Sequence, residues 1–321
     1  MKKRIYSAIV MVILFALMFV LKVYVSDLFF DALFCFIACV GAYEMSKLLT
    51  KMGMYNFLWI ATFFPILLLG GNLFGVHFAT KTGDLYWIVY TILIDISIMV
   101  FAGLVCFLLS ICRRKAVIKN EMTIRNFENI SVWKFSFKKA LNTFICFFYP
   151  AFVFLLFVLV NHINALPFAK LSSITSNVSI FAIITALLIP VVTDIFAMLT
   201  GSLIGGKKLC PKISPKKTIS GAIGGTLWCV LIAACVYLIF ANIISFESLM
   251  SILPIWAYLL IVLFGSILAQ GGDLFESVIK RRADVKDSGN FIPGHGGMLD
   301  RTDSHIFMAP YIFLTFMLVL V

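Results

Sequence analysis

Long apolar runs separated by short polar segments are the dominant pattern along the chain. A helix needs roughly 20 apolar residues to cross a hydrocarbon core of about 30 Å. No segment alternates apolar and polar residues between paired turns, as the strands of a closed barrel do. The pattern predicts an all-α polytopic integral membrane protein. We expect about nine transmembrane helices, over residues 5–25, 28–46, 56–79, 86–111, 141–161, 178–204, 222–245, 250–269 and 306–321.

Composition supports this class. Of the 321 residues, 62% are hydrophobic and only 13% are charged, whereas a soluble domain is about half apolar and about one-quarter charged. So few charged residues cannot cover a soluble surface, which excludes soluble and disordered classes. The eight cysteines have no spacing typical of metal ligands, and we interpret them as small buried side chains.

The basic residues predict the orientation in the membrane. The formal net charge is +11. With the N-terminus in the cytoplasm, every Lys and Arg except Lys22, Lys81 and Lys170 falls on the cytoplasmic side, as the positive-inside rule requires. We therefore attribute the charge to contact with membrane lipid and expect no nucleic-acid partner. The expected location is the cell membrane.

The spans and loops divide the chain into two regions. Residues 1–175 hold about five helices and a basic cytoplasmic loop near 112–140, which we interpret as an interfacial helix on anionic lipid. Residues 176–321 hold the remaining helices and two polar cytoplasmic loops, 205–221 and 270–305. We expect the chemistry in this second region.

Acidic residues concentrate in the 270–305 loop. If its first part is helical, Asp273, Ser277 and Lys280 occupy positions i, i+4 and i+7 and share one face. The alternative is a solvated loop of mixed charge, which is the usual reason for such a run.

A second acidic pair, Asp300 and Asp303, is spaced i, i+3 in the same loop. Carboxylate clusters of this kind suit Mg²⁺, which shares its oxygen ligands with phosphate. Glycines between the two clusters, at 294, 296 and 297, allow backbone N–H groups to approach an anion closely. Phosphate charge would be neutralised by Lys280, Arg281 and Lys286.

The 205–221 loop has a different composition, with five lysines and two prolines. Its segment from Ser214 to Thr218 precedes a glycine-rich helix start, which favours phosphate binding. Plain positive-inside charge is the alternative. Asp194, within the 178–204 span, is a costly intramembrane carboxylate, and we expect it to bind metal or pair with a lysine of the following loop. For Asp31 and Asp95, structural pairing or protonation is a sufficient explanation.

An extended motif runs through the 270–305 loop. It reads Ser277-x-Ile279-Lys280-Arg281, then Lys286-Asp287-x-Gly289, then Ile292-Pro293-x-His295-Gly296-Gly297-Met298-x-Asp300-Arg301-x-Asp303. It resembles the signature of the phosphatidate cytidylyltransferases (CDP-diacylglycerol synthases). Three further segments are similar to that family: Gly272-Asp273-Leu274-x-Glu276, Ser214-Pro215-Lys216-Lys217-Thr218-x-x-Gly221 with Asp194 upstream, and Tyr43-Glu44. The chain departs from the family at Ile219-Ser220, where Trp-Glu is usual.

The resemblance implies a function in phospholipid biosynthesis. This is the Mg²⁺-dependent transfer of CMP from CTP to phosphatidate, which gives CDP-diacylglycerol and pyrophosphate at the cytoplasmic face. It implies a homodimer, and it leaves room for a second cation. The implied catalytic residues are Asp273, Asp300, Asp303 and Lys280, and the three carboxylates are the metal ligands, with Asp194 as a further candidate. The implied substrate-binding residues are Ser214, Lys216, Lys217, Thr218, Ser277, Arg281, Lys286, His295, Gly296, Gly297 and Arg301.

Two alternatives remain open from the residues alone. One is another CTP-using lipid enzyme, either a lipid kinase or a cytidylyltransferase for an ether-linked lipid. The other is a secondary transporter, which predicts functional polar residues near the bilayer midplane and matching features in two halves of the chain.

Overall fold

The computed structural model of the chain describes residues 2–84, 86–112, 131–168, 178–242, 252–294 and 296–321, and of residues 2–9, 11 and 12 it describes the backbone alone. The helices are α1 (Lys2–Tyr24), α2 (Leu28–Lys51), α3 (Leu58–Thr82), α4 (Tyr86–Cys112), α5 (Val132–Cys146), α6 (Val153–Asn161), α7 (Val178–Ile204), α8 (Ile219–Asn242), α9 (Ile255–Arg282) and α10 (Leu299–Leu320). A π-helical segment, Phe147–Phe152, joins α5 to α6.

The membrane-spanning character of these helices agrees with the sequence. Within the described ranges, 8 helical segments are long and apolar enough to cross a membrane, with Val132–Asn161 counted as one. Helix α1, which has 23 residues, is additional to these eight segments. The all-α polytopic class is therefore confirmed, and each predicted apolar run overlaps a helix.

The predicted loop boundaries were wrong in three places. Residues 132–140 of the predicted 112–140 loop begin α5, residues 270–282 complete α9, and residues 299–305 begin α10. The reason is physical: α9 has 28 residues, hence a length of about 42 Å, which exceeds a hydrocarbon core of about 30 Å. Hydropathy shows where the apolar part of a helix ends, whereas the helix itself continues into polar residues beyond the lipid. Residues 113–130 of this loop, which was predicted as an interfacial helix near 112–140, lie outside the described residues.

A small β-hairpin, which the sequence analysis did not predict, connects α7 and α8. Strands β1 (Lys208–Cys210) and β2 (Ser214–Thr218) are antiparallel, with Lys208 opposite Thr218 and Cys210 opposite Ser214. The predicted phosphate-binding segment is therefore an extended strand that leads directly into α8.

Helix α6 lies in the centre of the molecule. All of its residues after the first are buried, and it packs against α2, α3, α7 and α10. A helix that is apolar on every side is buried either among other helices or in lipid, and α6 is of the first kind. By contrast, α4 keeps large apolar side chains such as Leu93 and Phe101 exposed, as expected of a helix facing lipid.

Glycines allow α7 and α8 to pack very closely. A Cβ atom at Gly225 would lie 2.6 Å from the carbonyl oxygen of Thr193, and one at Gly221 would lie 2.6 Å from that of Ala197. Small residues at such positions are typical of helix contacts in membranes. This packing holds the hairpin, which connects these two helices, in place.

The two other intramembrane carboxylates have structural partners, as expected. Asp31 accepts a hydrogen bond of 2.8 Å from Asn161 Nδ2 and lies 2.7 Å from His162 Nε2. Asp95 accepts one of 2.9 Å from Asn72 Nδ2. Both pairs join neighbouring helices, and neither belongs to the polar cluster described next.

Candidate active site

The two polar loops meet at one end of the helices. Lys217 of β2 forms an ion pair with Asp273 of α9. Arg281 Nε donates to the carbonyl oxygen of Ile213, in the hairpin turn, at 3.2 Å. The segments that the sequence analysis selected separately are thus parts of one site.

The predicted polar face of α9 exists. Ser277 Oγ lies 3.4 Å from Asp273 Oδ1, one turn away. Lys280 Nζ donates to Glu276 Oε2 at 3.0 Å and to Asp300 Oδ1 at 2.8 Å. The buried lysine therefore connects α9 to the start of α10 through charge-assisted hydrogen bonds.

Asp300 organises the loop between α9 and α10. Its Oδ2 atom accepts hydrogen bonds from the backbone N–H groups of Ser288 at 2.9 Å and Gly297 at 2.8 Å. Its Oδ1 atom accepts from Lys280. The side chain that the resemblance names as a metal ligand thus already has three donors.

A pair of buried carboxyl groups lies beside this lysine. Glu276 is fully buried and Asp303 is 8% exposed, and their carboxyl groups are within hydrogen-bonding reach of each other. Glu276 Oε1 has no hydrogen-bond partner among the described residues. Asp194 and Asp273 are within electrostatic range of Asp303. Carboxylates this close repel one another unless a cation or a proton lies between them.

Tyr149, in the π-helical segment, faces the same cluster. Its ring packs against Phe275 and Phe307, and it interacts electrostatically with Glu276 and Asp303. The hydroxyl is buried and has no hydrogen-bond partner among the described residues. A buried hydroxyl without a partner is costly, so this one is available to a ligand.

The other predicted substrate-binding residues lie in the hairpin, on α9 and between α9 and the first turn of α10. Thr218 is buried, and its hydroxyl accepts a hydrogen bond of 3.1 Å from Gly221 N, so it caps the start of α8. Ser214 lies in β2 and Gly296 and Gly297 precede α10, whereas His295 lies outside the described residues. Among the predicted residues, the basic side chains that are exposed are Lys216, Arg281, Lys286 and Arg301.

The departure from the family pattern has a visible structural role. Ser220, which stands where the family usually has Glu, donates a hydrogen bond to the carbonyl oxygen of Gly205. It also lies 3.2 Å from Thr218 Oγ1. Ser220 therefore closes the base of the hairpin through neutral hydrogen bonds.

The carboxyl cluster fits a divalent cation in part. Among the described residues, no group of three or more His, Cys, Asp or Glu side chains converges as a complete metal site. Mg²⁺ is usually held by one or two carboxylates together with phosphates of the substrate. The pair of Glu276 and Asp303, with its unpartnered oxygen, matches that requirement.

Sequence reasoning gave no role to three residues in or beside this site. Glu276 lies in a segment that is similar to the family, and its i, i+4 spacing to Lys280 signals an ion pair. Tyr149 gave no signal, because it lies in an apolar run. Glu44 also lies in a segment that is similar to the family, but its contact with the loop before α10 spans more than 240 positions of sequence, which no local spacing reveals.

Fold and site together define an integral membrane protein with a cluster of carboxylates and lysines at one end of its helices. The chain belongs to the cytidylyltransferase family, whose sequence model matches residues 2–319. This finding agrees with the resemblance seen in the motifs.

Individual relatives match over a shorter stretch. The phosphatidate cytidylyltransferase of Bacillus subtilis (strain 168) is 46% identical over 121 residues, which is 38% of this chain and 42% of that protein. The protein of the same name from Staphylococcus haemolyticus (strain JCSC1435) is 48% identical over 128 residues, 40% of this chain and 46% of its own length. That of Rickettsia bellii (strain RML369-C) is 48% identical over 120 residues, 37% and 51% of the two chains. The match thus spans about half the length of these relatives or less.

Proposed function

We propose that the protein transfers CMP from CTP to phosphatidate, which gives CDP-diacylglycerol and pyrophosphate. The observation that carries the proposal is the convergence of Lys217, Lys280 and five acidic side chains at one end of membrane helices. The names of the relatives support the choice of reaction.

The proposed chemistry is an in-line displacement at phosphorus. A phosphate oxygen of phosphatidate forms a bond to the α-phosphorus of CTP. The bond from that phosphorus to the oxygen bridging to the β-phosphate breaks, and pyrophosphate leaves with the electron pair. The nucleophile is already an anion, so no strong general base is needed. The obstacle is repulsion between phosphates, which positioning and positive charge overcome.

The basic residues divide this task by position. Lys280, held between Glu276 and Asp300, neutralises charge deep in the site. Lys217, paired with Asp273, acts where the hairpin meets α9. At the exposed surface of the site, CTP or the leaving pyrophosphate is bound by the exposed basic side chains Lys216, Arg281, Lys286 and Arg301.

Mg²⁺ is part of the proposal. When bound, it would supply positive charge that neutralises the phosphates. Glu276 and Asp303 would hold it together with phosphate oxygens of the substrate, and Asp194 and Asp273 are within electrostatic range of Asp303. Asp300, which already accepts from one lysine and two backbone amides, would orient Lys280. A second cation and a homodimer remain predictions.

The test follows two positions of a phosphorus label. Purified protein in detergent receives dioleoyl phosphatidate, Mg²⁺ and CTP labelled at either the α- or the γ-phosphate. Transfer of the α-label to lipid, with release of unlabelled pyrophosphate from that substrate, is the expected result. Transfer of the γ-label alone would identify a lipid kinase and overturn the proposal.

Two controls make the assay specific. Omission of phosphatidate and chelation of Mg²⁺ by EDTA should each abolish α-label transfer. Asp84→Asn is a matched carboxylate-to-amide control, because among the described residues the Asp84 side chain accepts a hydrogen bond only from its own turn, at Tyr86 N. It should retain wild-type transfer. Absence of transfer by folded wild-type protein to phosphatidate or its ether-linked analogue would exclude the cytidylyltransferase activity.

A further inference from the structure

The start of α10 is not capped by its own residues. Met298 is the N-cap position, and its side chain makes no capping hydrogen bond. The first N–H groups of a helix have no partner within the helix and need one from elsewhere. Here the missing acceptor comes from another part of the chain.

Glu44, near the end of α2, supplies that acceptor. Its Oε1 accepts from Met298 N at 3.0 Å, and its Oε2 accepts from Leu299 N at 2.8 Å and from Ser288 Oγ at 3.0 Å. The side chain is 3% exposed. A carboxylate at a helix N-terminus is favoured by the helix dipole as well as by the hydrogen bonds.

The loop before α10 is shaped to receive this carboxylate. Cβ atoms at Gly289 and Gly297 would collide with the carboxyl group of Glu44. These two glycines therefore allow the backbone to close around Glu44. The contact therefore depends both on the Glu44 carboxyl group and on the absence of side chains at Gly289 and Gly297.

The same loop is held from its other side by Asp300. Ser288 donates through its hydroxyl to Glu44 and through its amide to Asp300. Displacement of Glu44 would therefore move the amides that orient Asp300 and the helical turn that carries Asp303. Both residues belong to the proposed site, whereas Glu44 itself forms hydrogen bonds with the loop and with the first residue of α10.

We propose that Glu44 is a positioning residue, which caps α10 from α2 and thereby fixes Asp300 and Asp303 for cytidylyl transfer. This inference rests on the proposed function. It also assigns a task to the N-terminal half of the chain in chemistry that the C-terminal half performs.

Three variants test the inference. Glu44→Gln keeps the shape of the side chain and removes its charge. Glu44→Ala removes the cap, and Gly297→Ala adds a Cβ that would collide with both Ser288 Oγ and Glu44 Oε2 and so displaces both partners of this contact. The matched controls are Asp84→Asn, at the turn between α3 and α4, and Gly271→Ala, where an added Cβ meets nothing within 4 Å.

The kinetic readout is the separation of kcat from KM. A displacement of about 1 Å in a reacting group costs about a hundredfold in rate. We therefore expect Glu44→Ala and Gly297→Ala to lower kcat by about that factor, with the KM for CTP unchanged. Glu44→Gln should lie between these variants and the wild type, and both controls should match the wild type. Wild-type kcat in folded Glu44→Ala would overturn the positioning role.

An activity-independent readout separates this inference from the proposed function. Hydrogen exchange of the peptide covering Met298 and Leu299 should be at least about tenfold faster in Glu44→Ala, because the charge-assisted hydrogen bonds are lost. Asp84→Asn should leave this exchange unchanged. Unaltered exchange in Glu44→Ala would refute the cap even if the wild type proved to be an active cytidylyltransferase. If the wild type is inactive but exchange is still faster in Glu44→Ala, the proposed function is contradicted and the cap is supported.

Discussion

At the scale of single residues, the carboxylates of the site differ in what their oxygens contact. Asp300 accepts from a lysine and two amides, whereas Glu276 retains an oxygen without a partner beside Asp303. An oxygen with free lone pairs is available to a cation. This difference leads to two separate expectations for the two aspartates.

Asp303→Asn should weaken the use of Mg²⁺. Removal of one charged ligand beside Glu276 should raise the Mg²⁺ concentration for half-maximal transfer by about 10- to 100-fold, the range seen when metal sites lose supporting contacts. Titration of Mg²⁺ at saturating CTP measures this half-maximal concentration. An unchanged Mg²⁺ requirement in folded Asp303→Asn would remove this residue from the metal site.

Asp300→Asn should instead act through Lys280 and the loop. An amide leaves the buried lysine with a weaker acceptor, and we expect a fall in kcat of about 10²-fold or more with little change in the Mg²⁺ requirement. Membrane insertion should be normal, because one polar side chain does not decide the topology. A large rise in the Mg²⁺ requirement would instead support the metal-ligand role implied by the family resemblance.

Sequence reasoning at this scale succeeded where contacts are local. The spacing of Asp273, Ser277 and Lys280 predicted one helix face, since the helical period depends only on neighbouring residues. It did not find the contact from Glu44 to Leu299, because tertiary packing alone brings these residues together. Nor could it indicate that Asp300 is saturated by backbone donors, which requires the loop conformation.

At the scale of elements, apolar length predicted the helices well and their ends poorly. A span is defined by burial in lipid, which the sequence records directly. The ends of α9 and α10 lie among polar residues that remain helical. The hairpin was missed because its strands have only 3 and 5 residues and lack apolar alternation.

The close packing of α7 and α8 gives an element-scale prediction. Gly225→Ala would place a methyl group 2.6 Å from the carbonyl oxygen of Thr193, and overpacking of this kind costs about 1–3 kcal/mol. The midpoint of thermal unfolding in detergent should fall. Gly70→Ala, on α3, is the matched control, because its Cβ would meet nothing within 4 Å. Equal midpoints for the two variants would contradict the packing argument.

At the scale of the whole molecule, two polar clusters at the two ends of the helices differ in their contacts. At one end Lys22, Asp27, Asp31, Asn161 and His162 satisfy one another. At the other end the carboxyl cluster keeps atoms without a partner among the described residues, and the hairpin and the loop before α10 carry exposed basic side chains. A mutually satisfied cluster stabilises the fold, whereas an unsatisfied one is suited to a ligand. The position of this second cluster differs from the midplane site expected of a secondary transporter.

The distribution of basic residues between these two ends predicts which end faces the cytoplasm. The positive-inside rule assigns the basic hairpin end to the cytoplasm, where soluble CTP is available, and assigns Asp84 to the outer side. We expect an impermeant maleimide to label Lys216→Cys only in inverted membrane vesicles and Asp84→Cys only in right-side-out vesicles.

Mass spectrometry of the labelled peptide identifies the site of modification, which is needed because the chain has eight native cysteines. Detergent-opened vesicles should label both positions and thereby establish that each introduced thiol reacts. The reverse pattern would place the carboxyl cluster on the outer face, away from cytoplasmic CTP, and would contradict both the orientation and the proposed reaction. The expected pattern would put the hairpin with Lys216, and the carboxyl cluster that it contacts, on the side where a soluble nucleotide and a lipid headgroup meet.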